Sequence, residues 1–426
     1  MTKPPLSRRS FLTSAAGSAA AFQIIRPELV RGAGAPKMRA GLVGNGGRGT
    51  QALQNILTGC DNVEIVALAD VSEANMEQCI RKTQALAPQL SSRFKVDVEH
   101  RFVGFDAYKK LINSQLDIVM LATPPAYRPM HFEAAVDAKK HIFCEKPFGT
   151  DPTQVRRFMA AAKKSQELKL TVKSGAQRRS HSWYLDQYKR LKNGEIGDIQ
   201  AMYAYWEGTP VLQFERFPNK KRDPKWSDME FQHRNWYSFV WICGDQIVEQ
   251  HLHNIDVCNW FMGGHPESCV ASGGAAWRPR EEEYGNIYDH IAADFIYPNG
   301  VHMSSRCRQF RGQGIAQNVS ERIVGTKGVI DSSQQRGAKP TVDPYVQEHS
   351  DMMASILGTG PYINETMAVA ESTMTCIMGR EAAYSGMKIT WDMMMNSKQD
   401  LMPKSFGDKD PLPVPPLPVP GVYKFV

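Results

Sequence analysis

The chain has 426 residues, 42% hydrophobic and 22% charged, with 33 Gly and 26 Pro, which excludes a mostly disordered, collagen-like or coiled-coil protein and suits two or three domains. No apolar run reaches the ~18–20 residues that a membrane-spanning helix needs, so no membrane insertion is expected. The formal charge of +7 is concentrated in residues 1–35, where Lys3, Arg8, Arg9, Arg26 and Arg31 face Glu28 alone; the near-neutral remainder argues against nucleic-acid binding.

The N-terminal string Ser7-Arg8-Arg9-Ser10-Phe11-Leu12, followed by a mild apolar stretch from Ala15 to Phe22, resembles a twin-arginine export signal with a small-residue cleavage site near Ala19-Ala20-Ala21. Residues 1–35 are therefore read as signal and linker, with a basic tail as the alternative, and the protein is expected outside the cytoplasm, for example in the periplasm. Across 36–176, short apolar runs at Met38–Val43, Val63–Ala69, Ile118–Leu121, His141–Cys144 and Leu170–Lys173 read as buried strands. Amphipathic stretches at Thr50–Leu57, Glu73–Ala87, Ala107–Ile112, His131–Ala138 and Thr153–Glu167 read as helices. This alternation predicts an α/β fold with a doubly wound parallel sheet.

In residues 177–402, Ile199–Trp206, Cys269–Gly273, Ile291–Tyr297, Val301–Cys307 and Glu321–Gly325 read as strands. Turns at Pro298-Asn299-Gly300 and Thr326-Lys327-Gly328 favour antiparallel hairpins. Helices are expected at Asp245–Met262 and Thr366–Ser385, and 207–235 reads as an insertion. Residues 403–426 form a Pro-rich arm, extended because proline cannot enter helix or sheet interiors, which either wraps a neighbouring subunit or hangs loose. The eight cysteines show neither C-x-x-C nor metal-type spacing, so buried free thiols and no metal site are expected.

The chemistry gathers in three places. Gly44-Asn45-Gly46-Gly47-Arg48-Gly49 follows a strand and opens a helix, the setting in which glycines admit a dinucleotide pyrophosphate to a helix N-terminus. Asp70, 21 residues after Gly49, ends the next strand, where a carboxylate accepts from a ribose 2′-hydroxyl and repels a 2′-phosphate; NAD is favoured over NADP. Thr123-Pro124 and Glu145-Lys146-Pro147 end later strands, on the side where ligands bind in such sheets. Lys146 is placed to donate to a substrate oxygen. In the third cluster Asp245, Glu249 and His253 share a stripe if the segment is one helix, letting a carboxylate orient the imidazole of a general base. Chelation by His251 and His253 fails on a helix, where the two point about 200° apart.

With these strings in order, and with the late Gly379-Arg380-Glu381-Ala382-Ala383-Tyr384 segment, the sequence resembles the glucose–fructose oxidoreductase/inositol dehydrogenase (Gfo/Idh/MocA) family from about Met38 to Trp391. The resemblance implies a Rossmann domain, a C-terminal α/β domain with an open-faced mainly antiparallel sheet, a homodimer or homotetramer, a nicotinamide cofactor, and sugar or cyclitol substrates. It assigns Lys146 as the active-site lysine and His253 as the acid–base histidine. Glu249 stands where many relatives have Asp, His251 where many have Gly, and Lys139 where Gly usually closes the helix in a left-handed conformation, at about 1 kcal/mol. Gln177, Arg178, Arg179, Trp236, Tyr237 and Asp256 are candidate substrate contacts; interface ion pairs and core aromatics are the alternative for the arginines and rings.

The expected reaction is oxidation of a secondary hydroxyl of a sugar, glycoside or cyclitol by an NAD that leaves the cytoplasm with the folded enzyme and is regenerated in place. An NAD-dependent glycosidase acting by transient oxidation and elimination, and a non-catalytic carbohydrate-binding protein, are the competing expectations.

Overall fold

The computed structural model describes residues 36–209, 219–310, 312–335, 340–406 and 410–426. The export-signal reading, and part of the predicted 207–235 insertion, lie outside the described residues.

Six parallel strands form the first sheet: β1 (Met38–Val43), β2 (Val63–Asp70), β3 (Arg101–Val103), β4 (Ile118–Leu121), β5 (His141–Cys144) and β6 (Val172–Ser174), in the order β3-β2-β1-β4-β5-β6. Helices cover both faces, so the central strands carry continuous apolar runs, and β4 is buried throughout. Pro152–Glu167 starts with the Asp151 carboxylate accepting from the Gln154 N–H at 2.8 Å, as Asp-Pro predicted. Lys139 takes the left-handed φ of 55° expected of it. β6 begins two residues later than predicted. β3 escaped prediction because it is three residues long, at the sheet edge and partly exposed.

The second sheet holds β7 (Ile199–Gly208), β8 (Ser268–Gly274), β9 (His290–Ile296), β10 (His302–Gln309), β11 (Asn318–Gly325), β12 (Val329–Asp331) and β13 (Ile389–Thr390), ordered β12-β11-β7-β10-β9-β8-β13. Only β7 and β10 pair in parallel, and the predicted β9–β10 and β11–β12 hairpins both form. The Thr366–Ser385 helix packs on β8 and is almost wholly buried. Its Gly379 has no room for a Cβ, which would lie 2.8 Å from the Phe295 ring.

The predicted helix Asp245–Met262 is a correction: it is two helices, Gln246–Glu249 and Leu252–Met262. Gly244 and Asp245 both take φ of +81°, a conformation costly for aspartate. Tertiary bonds hold it there, with the Asp245 carboxylate accepting from the Tyr384 hydroxyl and from the Tyr288 N–H at 2.8 Å. Downstream, the fully buried His251 is hydrogen-bonded to Ser305 Oγ at 2.7 Å and Asn254 Oδ1 at 3.3 Å, pinning the break.

The chain then returns to the first domain. Pro344–Ile356 packs on the Gly47–Gly59 helix, Val172 bridges Asn364, and Lys173 pairs with Glu365 at 2.6 Å. The described part of the Pro-rich arm is bonded to its own chain. Leu412 N–H donates to Asp228 at 2.9 Å, Tyr288 O–H donates to the Pro418 carbonyl at 2.7 Å, and Tyr423 O–H donates to Glu381 at 2.9 Å. Proline carbonyls keep their acceptor capacity in an extended chain, which suits them to such a strap. All eight cysteines are buried and free.

Candidate active site

The glycine loop sits at the C-terminal end of β1, next to β4 at the reversal of strand order. Gly44 has φ +92°, and a Cβ on it would lie 2.7 Å from the Ala122 backbone; one on Gly49 would collide with the Gly44 carbonyl oxygen. Cβ atoms on Gly46 or Gly47 would instead meet nothing within 4 Å. An open cradle therefore lies at the start of the Gly47–Gly59 helix, whose first turn carries no acidic residue and no side-chain cap. The positive end of that helix is left for an anion. Asn45 Oδ1 is buried beside it without a partner. Asp70 accepts from the Asn45 N–H at 2.5 Å and the Ser72 N–H at 2.8 Å. Burial pushes the Asp70 carboxyl upward, against these hydrogen bonds. These residues fit a dinucleotide.

Two of the expected cofactor residues are engaged with each other. Arg48 Nε donates to Glu145 at 2.5 Å, its Nη2 to Glu348 at 3.2 Å, and its guanidinium lies 4.4 Å from the Tyr345 ring centroid. Arg48 and Glu145 thus fasten the glycine helix to β5 and to Pro344–Ile356. Thr123 is hydrogen-bonded to His131 at 3.2 Å, and Pro124 leads into a 3-10 turn at Pro125–Tyr127.

Lys146 follows β5 through a cis Lys146–Pro147 bond. Its ammonium donates to the Glu249 carbonyl at 2.5 Å and carboxylate at 3.1 Å. His253 lies in the first turn of Leu252–Met262, with Nδ1 buried and unpartnered and its ring 6.0 Å from that of Trp206. Burial, then the charges of Lys146, Arg178 and Arg48, push the imidazole well below its ordinary pKa, so it is neutral near pH 7. The structure corrects the expected carboxylate–imidazole pairing. With the helix broken at Gln250–His251, Glu249 holds Lys146 and Asp245 holds the 244–246 turn. Among the described residues neither is hydrogen-bonded to His253.

The candidate substrate contacts divide. Arg179 and Asp256 form a bidentate pair at 2.8 and 2.8 Å, and Asp256 also accepts from Ser372 at 2.8 Å. Arg178 pairs with Glu321, which also accepts from Tyr184 O–H at 2.9 Å and Ser332 at 2.8 Å. These arginines and Asp256 are therefore occupied by interior ion pairs tying the Gln177–Ser180 turn to the second domain. Tyr237 is buried, with its hydroxyl accepting from Gln309 at 3.4 Å, and Trp236 meets it edge-on at 5.3 Å. Gln177 Oε1 is buried and unpartnered. Sequence reasoning did not single out Trp206, Gln309, Tyr345 or Glu348. Each lies on an ordinary-looking strand or helix, and only tertiary packing brings it to the site.

Comparison with known proteins agrees with this geometry. Residues 38–174 match the Gfo/Idh/MocA oxidoreductase family model, described as an NAD-binding Rossmann fold, and residues 184–331 match the GFO/IDH/MocA C-terminal domain. The uncharacterized oxidoreductase YrbE of Bacillus subtilis is 24% identical over 70% of this chain and 74% of its own. The scyllo-inositol 2-dehydrogenase (NAD(+)) of the same organism is 22% identical over 69% and 73%. In fold, the scyllo-inositol dehydrogenase of Lactobacillus casei with bound NAD(H) and scyllo-inositol superposes with a TM-score of 0.63 at 19% identity, covering 83% of this chain and 99% of that one. With both domains matched in order and the glycine cradle in place, the chain belongs to the Gfo/Idh/MocA family of NAD-dependent oxidoreductases.

Proposed function

We propose that this enzyme oxidises a secondary hydroxyl of a sugar, glycoside or cyclitol, using an NAD that remains bound and is regenerated in place by a second substrate. The observation that carries the reading is the unpartnered, neutral His253 imidazole, within reach of the Lys146 charge that helps to lower its pKa. When bound, NAD supplies the hydride acceptor. His253 takes the hydroxyl proton. Lys146 turns from the Glu249 carboxylate to donate to the same oxygen, stabilising the charge that develops there. Glu249 keeps that ammonium in place between turnovers, and Gln177 offers its free Oε1 to a neighbouring hydroxyl.

Retention of the cofactor is supported by the Arg48 contacts to Glu145, Glu348 and Tyr345, which hold the phosphate-binding helix against β5 and the Pro344–Ile356 helix. It accords with export in the folded state through the twin-arginine pathway and with a homodimer or homotetramer. The test is to mix the purified protein with a panel of sugars, without added NAD, and follow nicotinamide absorbance at 340 nm. His253→Ala should slow reduction by about 100-fold or more; an unchanged rate, or aglycone release without a keto-sugar, refutes the proposal. Native mass spectrometry of the same sample reads the retained cofactor and the number of subunits.

A further inference from the structure

Beyond His253 the site is walled by side chains that proton and hydride transfer do not use. Trp206 and Val319 are opposed on β7 and β11, in register with the Ala204–Glu321 and Met202–Ile323 pairs. Alternation along a strand puts all of them on one face, the face packed against the Leu252–Met262 helix. Under that helix Met202, Ala204 and Ile323 are buried, whereas Val319 is 44% exposed and Trp206 is half-buried. The Trp206 ring stands 6.0 Å from the His253 imidazole with the planes 25° apart, and its indole N–H makes no hydrogen bond among the described residues. With neighbouring strands ~4.8 Å apart, Val319 carries the apolar wall one strand further from the base.

Trp206 and Val319 carry this wall across two neighbouring strands. Seen from His253, Trp206 is the nearer part of this wall and Val319, on the next strand, the farther. Indole faces bind the C–H faces of sugars and the faces of aromatic aglycones, and they retain an N–H for a hydroxyl.

We infer that the substrate is a glycoside whose reacting ring sits at His253 and Lys146 and whose second, flat or apolar moiety lies on Trp206 and Val319. The inference rests on the proposed reading of the site and adds a subsite to it.

The probes are phenyl glycosides of common hexoses and pentoses, each paired with its parent monosaccharide, titrated by calorimetry into the protein as purified. The wild type should bind at least one phenyl glycoside about tenfold more tightly than its parent sugar. Trp206→Ala should erase most of that preference, Trp206→Phe should keep most of it, and Val319→Ser should lower it about threefold. If Trp206→Ala does not fold, as judged by its melting transition, Trp206→Phe and Val319→Ser carry the comparison. No preference in the wild type, or an unchanged preference in Trp206→Ala (or, where that variant does not fold, in Val319→Ser), overturns the inference. Binding that depends on Trp206 without any change at 340 nm defeats the oxidoreductase reading and leaves the subsite standing; reduction by free sugars with no phenyl preference does the reverse.

Discussion

His349 offers a quantitative check on how burial governs protonation here. It lies on Pro344–Ile356, fully buried, with its ring 4.3 Å from that of Phe143 and neither ring nitrogen hydrogen-bonded. Burial, then the charges of Arg48 and Lys173, push its pKa well below the ordinary value. The native state therefore keeps the ring neutral, while the unfolded chain takes up a proton as pH falls through about 6.5. Its contribution is complete above that pH and is lost below it, at ~1.4 kcal/mol per pH unit. His349→Phe removes the titration but keeps an aromatic ring against Phe143. The stability difference, variant minus wild type, should shift in favour of the variant as pH falls from 7.5 to 4.5, at up to ~1.4 kcal/mol for each unit below 6.5 over which the buried ring stays neutral.

Urea unfolding at both pH values measures this directly, and any packing cost of the larger ring cancels in the difference. The wild-type profile alone cannot serve. Burial also raises Asp151 to about 6 and Glu348 well above its ordinary value, so these carboxylates gain stability as pH falls and oppose the histidines. A pH-independent difference between the two proteins would refute the argument.

The Arg179–Asp256 pair is buried and bidentate, so Arg179→Ala and Asp256→Ala should each cost ~3–5 kcal/mol of stability, and the double variant should cost clearly less than their sum. A raised KM with unchanged urea midpoint would return Arg179 to the substrate site. Asp70→Ala removes the acceptor for the Asn45 N–H as well as the 2′-hydroxyl partner; NADH affinity should fall about tenfold and discrimination against NADPH should weaken in fluorescence titrations. An unchanged NADH-to-NADPH ratio would show that Asp70 does not read the ribose.

Local pattern revealed most of the first domain. Its central strands are buried on both faces and bounded by turns, and Met38–Val43, Ile118–Leu121 and His141–Cys144 have the ends predicted for them. The site was legible where function sits at a strand end. It was not legible where it depends on distant partners: the spacing of Asp245, Glu249 and His253 suggested one helical stripe, but the Tyr384 and Ser305 hydroxyls, from the last long helix and from β10, break that helix and redirect both carboxylates. Trp206 gave no local signal. Its neighbourhood to His253 follows from the packing of β7 under a helix.

The chain segment after the second sheet carries a mechanical consequence. Val172 bridges Asn364, Lys173 and Ser174 bind Glu365, and Arg48 binds Glu348, so the polypeptide is sutured back to the first domain at β6, the strand from which it leaves for the second domain, and at the glycine helix. Lifting the 344–365 segment off the first domain would break all of these contacts at once.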